Sequence, residues 1–183
     1  MQRINLIDES TAPNKTIELL AAVRKQMGGV PNILATMAQS SATLGGYLGL
    51  ASALAGGKLT AKLREQIALA VAGANGCDYC ASVHAVLGSQ VGVGSDEVSS
   101  NLNGQSSDHK TQAALQFARQ IVATRGNVSD ANLDAVRKAG FSDEEVVEIL
   151  GNTIINIFTN YFNHVAETDI DFPVVSTSSV AAA

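Results

Sequence analysis

The stretch from Leu59 to Gly88 constrains the chain most, because it joins two helix signals to most of the reactive chemistry. Thr60 offers an N-cap oxygen, and Leu63, Ile67, Ala70 and Val71 mark one helical face. Asn75-Gly76 is a stop, since glycine readily takes the left-handed backbone of a helix end. A second helix then starts at about Cys77. On it Cys77, Cys80 and His84 fall at i, i+3 and i+7, which is a single face. These are the only 2 cysteines of the chain, with one of its 3 histidines.

Cysteines one helical turn apart have a Cα separation compatible with a disulfide. A free thiol of pKa about 8.5 is only a few per cent ionised at neutral pH, and lowering that value by about two units makes most of it thiolate. A helix N-terminus favours the anion through its unpaired N–H groups and partial positive charge. His84 lies one turn beyond Cys80, within reach of a proton transfer directly or through one water. If the Asn75-Gly76 turn folds the preceding helix back antiparallel, Glu65 would hold His84 in one tautomer and complete a relay of carboxylate, imidazole and thiol.

Plainer readings stand beside this one. The cysteines are otherwise a packed thiol pair or a small disulfide without turnover. Cys77, Cys80 and His84 are also three possible zinc ligands, but structural zinc takes four, and no second CxxC or HxxxH pair exists. Asp78 works against thiol activation unless it points away, and Tyr79 is placed to wall a pocket. His164, in the last turn of the final helix, is either a dipole partner or part of the site wall. His109 is expected in solvent.

At 183 residues the chain is long enough for one domain with a real core. Aromatics are only 4%, Trp is absent, and alanine and glycine are frequent, which suits close-packed helices better than a β-sandwich. A net charge of -5 without a basic run argues against nucleic acid or an anionic membrane as partner. No apolar run approaches the roughly 20 residues of a membrane span. The N-terminal residues carry acid where a signal peptide needs its apolar stretch, so a cytoplasmic location is expected. In that compartment a CxxC is more often redox-active than a structural staple.

The remaining punctuation is helical throughout, predicting an all-α fold of roughly eight helices. Helices are expected over 16–27, from Val30-Pro31, from a Ser41 cap to Gly56-Gly57, from Ser95 to Asn103-Gly104, from a Ser107 cap to Arg125, and from Ser129 to Gly140. Gly45, Gly46 and Gly49 weaken the third of these unless they admit another helix or a ligand. Ser142-Asp-Glu-Glu145 is a capping box opening a last helix to about Val165, apolar nearly all round and so central or at a subunit contact. A single domain is expected over 1–173, with its redox core at about 58–90. Residues 174–183 are expected to be disordered.

Glu65, then Cys77-Asp-Tyr-Cys80 twelve residues on, then His84 four residues after the second cysteine, resemble the AhpD-like branch of the carboxymuconolactone decarboxylase superfamily. The flanks Met27-Gly-Gly-Val-Pro-Asn32, Asn160-Tyr-Phe-Asn-His-Val165 and Asp171-Phe-Pro173 resemble its peroxidase-related members, so the likeness runs from about Ile17 to Pro173. One departure is Tyr79, where some members carry a histidine. The resemblance implies an AhpD-like fold and a symmetric oligomer, a trimer or a hexamer. It implies a thiol-dependent peroxidase acting on hydrogen peroxide or organic hydroperoxides, without haem, flavin or other cofactor. In that scheme Cys80 attacks, Cys77 resolves, Glu65 and His84 move protons, and Tyr79 and His164 are possible supporting residues. An external dithiol, lipoyl or thioredoxin-like, restores the pair. The alternatives are a disulfide carrier or reductase, a decarboxylase or lactone-handling enzyme, and a non-catalytic protein binding a small apolar molecule.

Overall fold

A computed structural model describes residues 2–178 and 180. Among them are nine α-helices and no strand, where roughly eight helices were expected. They are α1 (Asn14–Met27), α2 (Asn32–Met37), α3 (Ser41–Ala55), α4 (Ala61–Asn75), α5 (Asp78–Gln90), α6 (Ser95–Leu102), α7 (His109–Thr124), α8 (Asp130–Lys138) and α9 (Asp143–Ala166). No helix among the described residues is long and apolar enough to cross a membrane.

Local chemistry sets most boundaries. Thr60 Oγ1 accepts the Leu63 N–H, and Ser142 and Glu145 exchange the two bonds of a capping box. Two caps fall one residue from the expected one: Ser40 rather than Ser41 caps α3, and Asp108 rather than Ser107 caps α7. In each case two adjacent residues can cap, and the one with extended backbone does so. Helix α5 runs two residues past Gly88, to Gln90.

Helix α4 is the axis of the fold. Every residue from Gln66 to Gly73 is buried. Leu69 and Ala72 join one core with α1, α2, α3 and α5, while Ile67, Ala70 and Val71 join a second with α7, α8 and α9. Gly73 makes this possible at one crossing, since a Cβ there would overlap the Leu102 carbonyl at the end of α6. Gly76, at φ 67°, reverses the chain so that α5 packs back along α4.

Part of the C-terminal segment is bonded to the fold. Residues 174–178 do not hang free of the fold: Val175 N donates to Ser82 Oγ at 2.9 Å, and Thr177 donates both its N–H and its hydroxyl to Asp78 Oδ1, at 2.7 and 2.6 Å. Residue 179 and residues 181–183 of the expected disordered segment lie outside the described residues.

Candidate active site

The reversal at Gly76 places Cys77 at the N-cap of α5, where its Sγ accepts the Cys80 N–H at 3.4 Å. The same reversal lays α5 along α4, so His84 Nδ1 meets Glu65 Oε2 at 2.8 Å. Cys80, one turn before His84, lines a cavity of about 1270 Å³ together with His84 and Glu65. Cys77 is not on that wall. Both sulfurs sit in residues almost closed to solvent, Cys77 at 2% and Cys80 at 1% exposure, and both are free thiols.

Two neighbours expected to matter are accounted for by the tail and by α2. Asp78 is held by two hydrogen bonds from Thr177. Tyr79 is on the cavity wall, donating its hydroxyl to Asp171 Oδ1 at 2.8 Å and accepting the Ile33 N–H at 3.1 Å. Of its two readings, His164 takes that of a last-turn residue outside the site. It lies on the outer face of α9, exposed and stacked with Tyr161 at 6.4 Å between ring centroids, because one residue past the inward Asn163 the helix has turned about 100°. His109 is exposed, as expected.

Sequence reasoning missed the inner face of α9. Asn152, Asn156, Thr159, Asn160 and Asn163 form a buried polar ladder facing the thiols. Asn163 Nδ2 donates to Cys80 Sγ at 3.2 Å, and Cys80 Sγ lies 3.9 Å from Thr159 Oγ1. Asn160 Oδ1 accepts from Asn75 Nδ2 at 2.9 Å. Two buried atoms of the ladder, Asn160 Nδ2 and Asn163 Oδ1, have no hydrogen-bond partner within 3.5 Å among the described nitrogen and oxygen atoms. The ladder's signal was present: asparagines at 152, 156, 160 and 163 share one helical face.

The electrostatics separate the two sulfurs. The Cys77 hydrogen bond, against the opposing effect of burial and helped by His84's charge and by Asn163 and Asn160, lowers Cys80 to a pKa of about 6. The hydrogen bond to Cys80, burial, and the neighbouring Cys80 charge push Cys77 up. Burial alone would depress His84, but Glu65's charge and hydrogen bond, the Cys80 charge and Asn156 outweigh it and raise His84. The shifts favour the thiolate on Cys80, the protonated imidazole on His84 and the thiol on Cys77. Tyr47, also on the wall, stays a neutral phenol, raised to about 12 by burial and then by the charges of Cys80 and Glu65.

With this geometry in hand, likeness to known proteins carries weight. Residues 41–124 match the carboxymuconolactone decarboxylase family. A peroxidase-related protein with the AhpD core from Ralstonia eutropha JMP134 superposes with TM-score 0.81 at 25% identity, covering 93% of this chain and 92% of the other. A peroxidase-related protein from Silicibacter sp. TM1040 gives 0.79 at 21%, covering 91% and 88%. The debrominase Bmp8, in complex with 2,3,4-tribromopyrrole, shares the fold at 0.78 and 23%, covering 92% and 91%. No curated protein sequence matches. The family match over residues 41–124 and the AhpD-core fold are what the chain shares with the carboxymuconolactone decarboxylase superfamily. Members of that superfamily are enzymes, with activities that differ among them.

Proposed function

We propose that the protein is a thiol-dependent peroxidase reducing hydrogen peroxide or organic hydroperoxides. The observation that carries this reading is the asymmetry of the pair: Cys80, the sulfur with the lowered pKa, is the one on the cavity wall, beside His84 and Glu65. The Cys80 thiolate attacks the terminal peroxide oxygen and the O–O bond breaks. The leaving alkoxide takes a proton from His84, and Cys80 becomes a sulfenic acid. The Cys77 sulfur then attacks Cys80, its proton passing through the imidazole to the departing hydroxyl. Water leaves and the Cys77–Cys80 disulfide forms. An external dithiol reduces the disulfide and is itself oxidised to a disulfide, returning two thiols. The burial of both sulfurs favours a slender dithiol such as a lipoyl arm over the face of a thioredoxin-like protein.

The test is stopped-flow mixing of reduced protein with hydroperoxide, using Cys77→Ser to trap the sulfenic acid on Cys80 with a dimedone-type reagent. Sulfenic acid forming no faster than on free cysteine would sink the peroxidase reading and leave the disulfide carrier. A decarboxylase or lactone-handling activity would survive conversion of both cysteines to serine.

The same dithiol is a two-electron reductant, so a halogenated ring is a second substrate class. The cavity, far larger than a peroxide needs, and the fold shared with a debrominase favour testing it. Release of bromide from a bromopyrrole with stoichiometric loss of protein thiol is the measurement.

A further inference from the structure

The cavity in front of Cys80 has a layout that hydrogen peroxide would not use. Two cross-links fix how α4 runs beside α9. Near the start of both, Leu59 N donates to Glu148 at 3.0 Å; near the end of α4, Asn75 meets Asn160 at 2.9 Å. The two helices are therefore parallel, and Arg64 falls near the level of Asn152. Cys80 lies at the level of Thr159. Seven residues of α9 separate those levels, which is about 10 Å. Arg64 and Asn152 therefore line one end of the cavity and Cys80 and Thr159 the other, and Leu48, Ala51 and Leu54 of α3 are among its apolar lining.

Arg64 is the feature that selects a ligand. It donates one hydrogen bond, to the Leu59 carbonyl at 2.6 Å, and no carboxylate pairs with it among the described residues. The two carboxylates on the same wall are already engaged: Glu65 by His84, Asp171 by Tyr79 and the Asn32 N–H. Arg64 also sits in the first turn of α4, which holds no acidic residue and where the helix dipole opposes a cation. A bound anion would relieve both the unpaired charge and the dipole mismatch, with the forked geometry guanidinium offers to carboxylate.

We propose that the cavity binds an amphipathic acid, with its carboxylate on Arg64, its apolar stem on the α3 wall, and its reducible group about 10 Å away at Cys80. The acid-binding half stands on the cavity alone. The half that places a hydroperoxide at Cys80 rests on the peroxidase reading. That step is the one already balanced above: the thiolate takes the terminal oxygen, and the hydroxy acid leaves.

Two experiments separate the halves. Isothermal titration of reduced protein with octanoate and with octanamide reads the anion site without any chemistry. Octanoate is expected to bind about tenfold tighter than octanamide. Arg64→Gln should abolish that preference and Arg64→Lys should keep part of it, with thermal melts confirming that each variant folds. Equal binding of acid and amide, or a preference that survives Arg64→Gln, overturns the proposal. Turnover is then compared between a medium-chain hydroperoxy acid and its methyl ester. A higher kcat/KM for the acid, with the ratio collapsing in Arg64→Gln, supports the whole proposal. Acid-selective binding with neither hydroperoxide reduced leaves the anion site standing and removes the peroxidase reading.

Discussion

Asn163, near the end of α9, donates its side-chain amide to the sulfur of Cys80, in the first turn of α5, at 3.2 Å. The bond joins elements 83 residues apart in the chain and points a buried dipole at the atom that must carry negative charge. Asn163→Ala removes that donor and should raise the Cys80 pKa by about one unit, a typical size for one lost hydrogen bond to an anion. Asn163→Asp replaces it with a carboxylate and should raise it further. The rate of iodoacetamide alkylation against pH measures both.

The same titration has a definite sign in the wild type. Because Cys80 is lowered to about 6, first by the Cys77 hydrogen bond, its thiolate persists at neutral pH and is lost as pH falls through 6. Alkylation of the reduced protein should therefore be half-maximal near pH 6, and Cys77→Ala should move that midpoint upward. Stability follows the same group. A depressed pKa contributes stability that is fully present above the unfolded thiol value and disappears as pH falls through the folded one. Cys80→Ser should accordingly lower the melting temperature of the reduced protein more at pH 9 than at pH 5.5.

Glu65 acts through His84. Glu65→Gln removes the charge that most raises the imidazole, so burial then depresses His84 and the imidazolium is lost at neutral pH. Both the cation beside Cys80 and the proton for the leaving alkoxide go with it. Reduction of hydroperoxide should fall by about 10²-fold or more at pH 7. The rate should recover partly at lower pH, where the weakened histidine is protonated again, and a pH–rate profile of Glu65→Gln against wild type checks this.

How far the sequence carried depends on the range of the interaction. Caps such as Thr60 and Ser142 are decided within four residues, so they were legible, and Ser40 and Asp108 were missed by a single residue where two neighbours compete. Cys77, Cys80, His84 and Glu65 were legible because one turn and one helix reversal determine their meeting. The α9 ladder was not. Its period is plain, but a period does not say which side faces inward. Propensity places apolar residues inside, whereas here Asn152, Asn156, Asn160 and Asn163 are buried while Val147, Ile154, Tyr161 and Val165 are exposed. Which of its two readings His164 would take turned on the same unknown, since it sits on the outward side of that helix.

The docked tail has a testable consequence. Thr177 holds the Asp78 carboxylate through two hydrogen bonds, and Val175 ties to Ser82 one turn further along α5. Truncation after Pro173 frees Asp78 in the first turn beside Cys77. The loss of three hydrogen bonds, each worth about 0.5–1.5 kcal/mol, should lower the melting temperature by several degrees. The freed anion should also raise the alkylation midpoint of Cys80, whereas a tail that served only to cover surface would leave the midpoint in place.

The outward face of α9 is the remaining surface to explain. Val147, Leu150, Ile154, Phe158, Tyr161 and Val165 recur at helical spacing and are all exposed, the first and last at 66% and 64%. Leu50 on neighbouring α3 extends the patch, and α3 packs on α9. We propose that a second copy of this chain covers it in a symmetric oligomer, consistent with a helix whose polar side is already spent on the thiols. Ile154→Glu places a charge at the centre of the stripe and should reduce the mass seen by analytical ultracentrifugation to that of the 18.9 kDa monomer. An unchanged mass for Ile154→Glu, or a wild type that is already monomeric, removes the oligomer.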